Sequence, residues 1–430
     1  MLQTPANRAV ALDTILPVFL AVRHFSEVLC ESLELEDYVV QSMPEASPIR
    51  WHLAHTSWFF ETFVLKPYAP GYQPVDPAFE HLFNSYYNGI GQPFPRSRRG
   101  LMTRPTVAEV LGYRKKVDDR MAQLLLGAAA PQEEEIVRLV ELGLHHEQQH
   151  QELMLTDLKH AFAQNPLYPV YRSAPLRSTG GTTMPERWRA FEGGIVAIGH
   201  ATDNFAYDNE SPRHECLLRP FELAVRLVTN EEYLRFIEHG GYQRPELWLS
   251  LGWEAVQEKD WQMPLYWVRT ADGWHEFTLG GLQPLVPNAP VTHISYFEAD
   301  AFARWADCRL ATESEWEEAS RQVPLEGNFV ESEHYHPQPV NESAAEDTHP
   351  LQQMLGDCWE WTSSPYTPYP GYRPPPGAIG EYNGKFMCNQ YVLRGGSCAT
   401  PQTHIRRTYR NFFPPEARWQ FSGIRLARDT

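Results

Sequence analysis

Two short stretches of this sequence carry most of its chemistry. Leu144-His145-His146-Glu147-Gln148-Gln149-His150-Gln151-Glu152 sets His146 and His150 four residues apart. On a helix that spacing projects both imidazoles from one face, close enough to share a metal ion. The same face runs through Ile136, Leu139, Gly143 and Leu153, a stripe expected to face a core. Imidazoles buried there are costly unless paired, by a divalent cation or by hydrogen bonds to each other or to core carboxylates. A second set lies in Trp51-His52-Leu53-Ala54-His55-Thr56-Ser57-Trp58-Phe59-Phe60-Glu61, where His55 shares a face with Trp51, Trp58 and Phe59. His55 is therefore expected to point inward, while His52 is either an alternative ligand or a surface residue. Three neutral imidazoles leave open coordination positions and suit zinc, copper or iron, and no cysteine lies near enough to favour a soft-metal site.

His146-Glu147-Gln148-Gln149-His150 also spells H-E-x-x-H, the helix motif of zinc metalloproteases in which the Glu is the base. Its extended form needs a Gly and then a His downstream, where Leu153 and Thr156 stand. A zinc metallohydrolase reading would also leave His55 and the second half of the chain unexplained. It is kept as an alternative.

Elements must bring these residues together. With 430 residues, 42% hydrophobic and 13% aromatic, the chain can bury a sizeable core and build two or three domains. Helical periodicity marks 8–32, 48–65, 105–127 and 132–163. Ser47 is the expected cap of the second, with Pro48 at its first position. Pro131 and Glu133-Glu134-Glu135 open the fourth, the acidic turn suiting the positive end of the helix dipole. These four helices predict a bundle over 1–165. Its connection from about 66 to 104 is rich in Tyr, Pro and Arg and long enough to be functional. A linker follows over 166–187, including Thr179-Gly180-Gly181-Thr182, and then an α+β domain over 188–430 with much irregular backbone. The fold class is thus multidomain, α and α+β.

The formal charge is 37 − 54 = −17, so nucleic acid and anionic membranes are poor partners. The most apolar early run, Ile15 to Val22, contains Pro17 and is followed by Arg23 and His24, so it reads as amphipathic helix rather than signal peptide. Six cysteines without C-x-x-C spacing indicate neither a disulfide framework nor a zinc ribbon. A cytoplasmic, reducing setting is expected.

Specific phrases then identify a resemblance. Val228-Thr229-Asn230-Glu231-Glu232-Tyr233, Pro290-Val291-Thr292-His293-Ile294-Ser295-Tyr296, Arg309-Leu310-Ala311-Thr312-Glu313-Ser314-Glu315-Trp316-Glu317, Gly356-Asp357-Cys358-Trp359-Glu360-Trp361-Thr362, Arg394-Gly395-Gly396-Ser397 and Ser422-Gly423-Ile424-Arg425 resemble the fold of formylglycine-generating enzyme, which is C-type-lectin-like. That enzyme's paired active-site cysteines are not matched, since Ala399-Thr400-Pro401 follows Cys398. The first half resembles a DinB-type bundle. A DinB bundle fused to this fold resembles the EgtB-type sulfoxide synthases of ergothioneine biosynthesis (hercynine oxygenases), over nearly the whole chain.

The resemblance implies iron(II) and O2 as co-substrate, with cysteine sulfur joined to the imidazole C2 of hercynine as hercynylcysteine sulfoxide. Selenoneine synthase, which joins a selenosugar to hercynine, is a close relative and an alternative. Position by position the resemblance puts the metal on His55, His146 and His150, and makes Gln149 a hydrogen-bond partner of hercynine. In the long loop, Tyr86 and Tyr87 resemble a branch in which loop tyrosines replace a tyrosine from the C-terminal domain as catalytic groups. Arg96 and Arg98 could clamp a substrate carboxylate. Near the C-terminus Asn411 would bond hercynine and Phe412 would lie against its trimethylammonium group. Phe413 stands where users of γ-glutamylcysteine carry an acidic residue, which favours free cysteine as the sulfur donor.

Overall fold

A computed structural model describes residues 12–127, 132–173, 186–202, 204–340 and 351–430. The chain forms two compact units: Met1–Gln164 with Ala201–Phe205 and Pro375–Tyr382, and Asn165–His200 with Ala206–Pro374 and Asn383–Thr430.

In the first unit the long helices are Leu12–Val28, Ile49–Phe60, Val107–Gly127 and Glu133–Ala163. Residues 8–11 of the expected first helix, Pro131, and Thr179-Gly180-Gly181-Thr182 of the expected linker lie outside the described residues. The expected Ser47 cap is corrected. Pro48 holds the cap position without a side-chain bond. Ser47 is claimed elsewhere: its backbone N–H donates to Asp157 Oδ2 at 2.8 Å, and its Oγ accepts from Arg99 at 2.8 Å. The second helix also stops short of residue 65 as an α-helix and widens into a π turn over Glu61–Leu65. There the buried Glu61 carboxylate accepts from Tyr113 Oη at 2.7 Å, Tyr72 Oη at 2.6 Å and the Val75 N–H at 2.9 Å. It thereby ties the start of the long connection to the bundle, and such π turns recur at functional sites. The connection itself is ordered, with helical turns at Lys66–Tyr68, Phe79–Phe83 and Arg96–Leu101.

The second and fourth helices approach closely because Gly143 faces the second. A Cβ there would lie 2.5 Å from Phe60 Cε1 and 3.0 Å from Phe59 Cε1. Phe60 in turn packs edge-on against Phe19 of the first helix, centroids 5.1 Å apart.

In the second unit, an antiparallel sheet orders Trp188–Phe191, Phe221–Ala224, Leu426–Asp429 and Arg309–Leu310 side by side, so the final strand closes onto the first ones. A second sheet orders Asn411–Phe413, Tyr391–Arg394, Trp359–Pro365 and Ser422–Gly423, the last pair parallel. The phrases singled out in the sequence are its joints. Thr229/Glu232, Ser295/Glu298 and Thr312/Glu315 form reciprocal capping boxes. Arg394 donates to Glu317 at 2.8 Å and Arg425 to Glu360 at 2.8 Å, all fully buried. Gly395, at φ +100°, leaves no room for a Cβ, which would meet Met354 O at 2.6 Å.

The Gly143 contact sets a test. Gly143→Ala overpacks the seam between the second and fourth helices and is expected to destabilise the protein by about 1–3 kcal/mol in chemical denaturation. Unchanged stability would mean the seam is looser than these distances say.

Candidate functional site

His55, His146 and His150 are buried, at 0%, 2% and 9% exposure. One nitrogen from each ring lies within 4.8 Å of the others, the one such convergence among the described residues. His55 Nε2 faces His146 Nε2 at 3.1 Å. The rings are held by stacking: Trp51 lies on His55 with centroids 4.5 Å apart, Trp58 flanks His55 at 5.5 Å, and Phe59 tilts against His146 at 4.7 Å.

Neighbours fix which nitrogen of His55 and of His150 is free. His55 Nδ1 lies 2.6 Å from the Phe83 carbonyl oxygen, which can only accept, so Nδ1 carries the proton and Nε2 a lone pair. His52 is buried and corrects the surface reading of that residue. Its Nε2 lies 3.0 Å from Asp157 Oδ2 and its Nδ1 2.8 Å from His150 Nδ1. With the Asp157 carboxylate accepting, His52 Nδ1 is left to accept from His150 Nδ1–H, so His150 Nε2 carries the lone pair. Such an Asp–His–His relay would orient His150 and raise its basicity if it bound a metal. His52 therefore stands behind the converging group of His55, His146 and His150 rather than in it.

All three imidazoles are neutral at pH 7. Burial, then the adjacent His146, holds His55 well below its ordinary range. Burial holds His146 at about 3. Burial, then His146 and His55, depresses His150 likewise. His146 Nδ1 has no hydrogen-bond partner among the described residues. Neutral rings whose lone pairs converge without enough donors to satisfy them fit a bound cation, and the donor set is nitrogen throughout.

Glu147 does not belong to this centre. One residue on from His146, it turns to another face of the helix and is fully buried in an ionic cluster. It accepts from Arg23 Nη1 at 2.8 Å, Arg114 Nη2 at 2.6 Å and Ser26 Oγ at 2.6 Å. Burial alone would raise its pKa, but Arg114 and Arg23 more than offset this and hold it at about 2. A carboxylate so committed cannot serve as a general base, which removes the metalloprotease chemistry that H-E-x-x-H spells.

Other expected residues divide. Gln149 accepts from Tyr382 Oη, and the Tyr382 ring lies 5.8 Å from that of His146. Tyr86 lies against Tyr382 at 6.3 Å, whereas Tyr87 is fully buried between Trp58 at 5.7 Å and Phe63 at 5.2 Å. Arg96 and Arg98 are exposed. The neighbouring Arg99 is buried instead, its guanidinium 3.3 Å over the Trp51 ring that stacks on His55. Sequence reasoning missed Tyr382 and the contacts of His52, and in the run Arg96-Ser97-Arg98-Arg99 it singled out Arg96 and Arg98 rather than Arg99. In the second unit, Phe412 stacks on Tyr366 with centroids 4.1 Å apart, Asn411 Oδ1 accepts from the Phe412 N–H, and Phe413 packs edge-on against Trp419.

Comparison with known proteins defines the class first. Residues 19–154 match the DinB superfamily and residues 181–430 the sulfatase-modifying factor enzyme 1-like domain, so both classes are fused in one chain. The formylglycine-generating enzyme of Streptomyces coelicolor is 27% identical over 281 residues, covering 55% of this chain and 87% of its own. The hercynine oxygenase of Mycobacterium tuberculosis is 31% identical over 431 residues, covering 94% of this chain and 98% of its own. That of Mycolicibacterium thermoresistibile is 31% identical over 415 residues, covering 90% and 88%. The chain belongs to the hercynine oxygenase family. Among the described residues no helix is long and apolar enough to cross a membrane.

Removing His52 should separate a ligand from its support. Anaerobic iron loading followed by elemental analysis is expected to fail in His55→Ala, His146→Ala and His150→Ala. His52→Ala should bind iron with affinity reduced about 10–100-fold, the usual effect of losing an outer-shell partner. Full loading of His55→Ala would move the third ligand elsewhere.

Proposed function

We propose that this protein uses O2 to join the sulfur of cysteine to the imidazole C2 of hercynine, with iron(II) held by His55, His146 and His150. The observation that carries the reading is the set of buried, neutral imidazoles with converging lone pairs. Family membership across nearly the whole chain supports the same reaction. The balance is thiol plus C2–H plus O2 giving sulfoxide plus water. Iron(II) there would supply open positions at which the thiol loses its proton and O2 gains electrons. A zinc hydrolase is disfavoured by Glu147, already bound to two arginines.

The protein's own groups would position substrates and move protons. Tyr382, whose ring lies 5.8 Å from that of His146, and Tyr86, whose ring lies against that of Tyr382, are the proton-donor candidates, and Tyr87, between Trp58 and Phe63, is read as packing. Gln149, anchored by Tyr382, would bond hercynine. Arg99 is the best candidate for a substrate carboxylate. Burial and then the nearby Arg96 disfavour its charge, and its Nε has no partner among the described residues, so an incoming anion would relieve both. Arg96 and Arg98 would act at most from the exposed side. The family resemblance assigns hercynine contacts to Asn411 and Phe412, and the aromatic stack of Phe412 on Tyr366 supports a surface for its quaternary ammonium group. Phe413 offers no charge to an ammonium, which favours cysteine over γ-glutamylcysteine. The proposed organisation is a bundle over 1–165, a linker over 166–187 and an α+β domain over 188–430, acting in the cytoplasm on small molecules.

Oxygen uptake decides the reaction class. It is expected to require hercynine and a thiol together, with cysteine preferred over γ-glutamylcysteine and over a selenosugar. Peptide hydrolysis without oxygen uptake would overturn the reading, and a clear preference for γ-glutamylcysteine would overturn the argument from Phe413. Proton donation makes a separate forecast: Tyr382→Phe and Tyr86→Phe should slow sulfoxide formation roughly 10²–10⁴-fold for the true donor. Tyr87→Phe should leave the rate near that of the wild type.

A further inference from the structure

The stretch Pro375–Tyr382 lies nearly three hundred residues after the tyrosine loop in sequence, yet folds as part of the bundle unit. It is a closed turn. Gly380 packs so tightly on Pro375 that a Cβ would meet the Pro375 carbonyl oxygen, and the Tyr382 N–H donates to Ile379 O at 3.1 Å. Glu381, at the end of this turn, reaches into the backbone of the loop. Its Oε1 accepts from the Gly89 N–H at 2.8 Å and its Oε2 from the Asn88 N–H at 3.1 Å.

Successive backbone N–H groups converging on one anion form a nest, and here the resident anion is a side chain. The fit is close: a Cβ on Gly89 would stand 3.0 Å from Glu381 Oε1 and push the carboxylate back by a few tenths of an ångström. From the other side the fully buried Asn84 grips the same loop, donating to the carbonyls of Tyr87 at 2.9 Å and Gly91 at 3.0 Å and accepting from the Tyr87 N–H at 2.9 Å. Tyr86 and Tyr87 are thus held between two clamps. The Glu381 clamp is one residue from Tyr382, whose phenol reaches Gln149 and whose ring faces both Tyr86 and His146.

We propose that Glu381 is a positioning residue: it seats the Tyr86–Tyr87 loop against Tyr382, and so governs whether O2 chemistry ends in C–S joining or in oxidation of the thiol alone. This rests on the reaction proposed above. The two outcomes differ in what they consume. Joining takes thiol, C2–H and O2 to sulfoxide and water, whereas the side reaction takes thiol and O2 to a sulfinic acid. The metal ligands are common to both outcomes. On the proposed reaction, what would distinguish them is delivery of a proton at the right place, which a displaced tyrosine would not provide.

The test uses full-length protein carrying Glu381→Ala or Glu381→Gln, with three readouts: iron content, amide hydrogen exchange over residues 84–91, and the ratio of sulfoxide to sulfinic acid. For Glu381→Ala, exchange at Asn88 and Gly89 should quicken about tenfold or more, as expected of a local opening. The sulfinic-acid share should rise severalfold at unchanged iron content. Glu381→Gln keeps one accepting oxygen and should fall between wild type and Ala. Should the Ala variant fail to fold, the Gln variant decides alone by the same signs. Unchanged exchange, or faster exchange with a wild-type product ratio, would overturn the proposal. So would a parallel loss of iron, because the effect would then run through the triad. A wild-type protein that makes no sulfoxide would instead sink the parent reading, with exchange still deciding whether the clasp exists.

Discussion

Imidazole rings closed off from water inside a helical bundle must be neutral, and their lone pairs must be aimed by something other than solvent. That constraint organises the unit around His55, His146 and His150. Burial disfavours the second proton of each ring and leaves it neutral. The Phe83 carbonyl then decides which nitrogen of His55 is free, and the Asp157–His52 pair decides it for His150. Even Ser47, a helix-capping residue type at a helix start, gives up that role to hold Asp157 and Arg99 in place.

The fourth helix serves two opposed tasks. One face carries His146 and His150; another carries Glu147 into a cluster with Arg23 and Arg114, where Arg23 also donates to Asp118 at 2.6 Å and Ser57 at 2.8 Å. Removing one partner of such a cluster leaves a buried charge uncompensated, which costs about 3–5 kcal/mol. The cluster therefore joins the first three helices to the fourth with a fixed rotation, and the imidazoles inherit it. The motif H-E-x-x-H here puts two converging imidazoles and one structural acid on a single helix turn.

Much of this was legible in the residues. The i,i+4 spacing of His146 and His150 and the aromatic face around His55 pointed to the rings that converge. The phrases that carry the resemblance in the second half hold reciprocally capped helix starts at Thr229, Ser295 and Thr312, although resemblance and not capping singled them out. What escaped has physical reasons. Every residue of Ile49–Phe60 is buried, so periodicity could not separate a ligand from its support and His52 stayed ambiguous. Arg98 and Arg99 differ by one position in a tight 3₁₀ turn, which sends one outward and the other under the Trp51 ring. Tyr382 and Glu381 sit in a Pro- and Gly-rich stretch without a periodic signal, and only tertiary folding brings them to the bundle.

The central claim is that three neutral imidazoles, and no carboxylate, hold the metal. X-ray absorption at the iron edge of the anaerobically loaded, full-length protein tests it most directly. The account predicts multiple-scattering features of three imidazole ligands, unchanged in Glu147→Gln. Fewer than three imidazoles, or a carboxylate shell that disappears in Glu147→Gln, would contradict it.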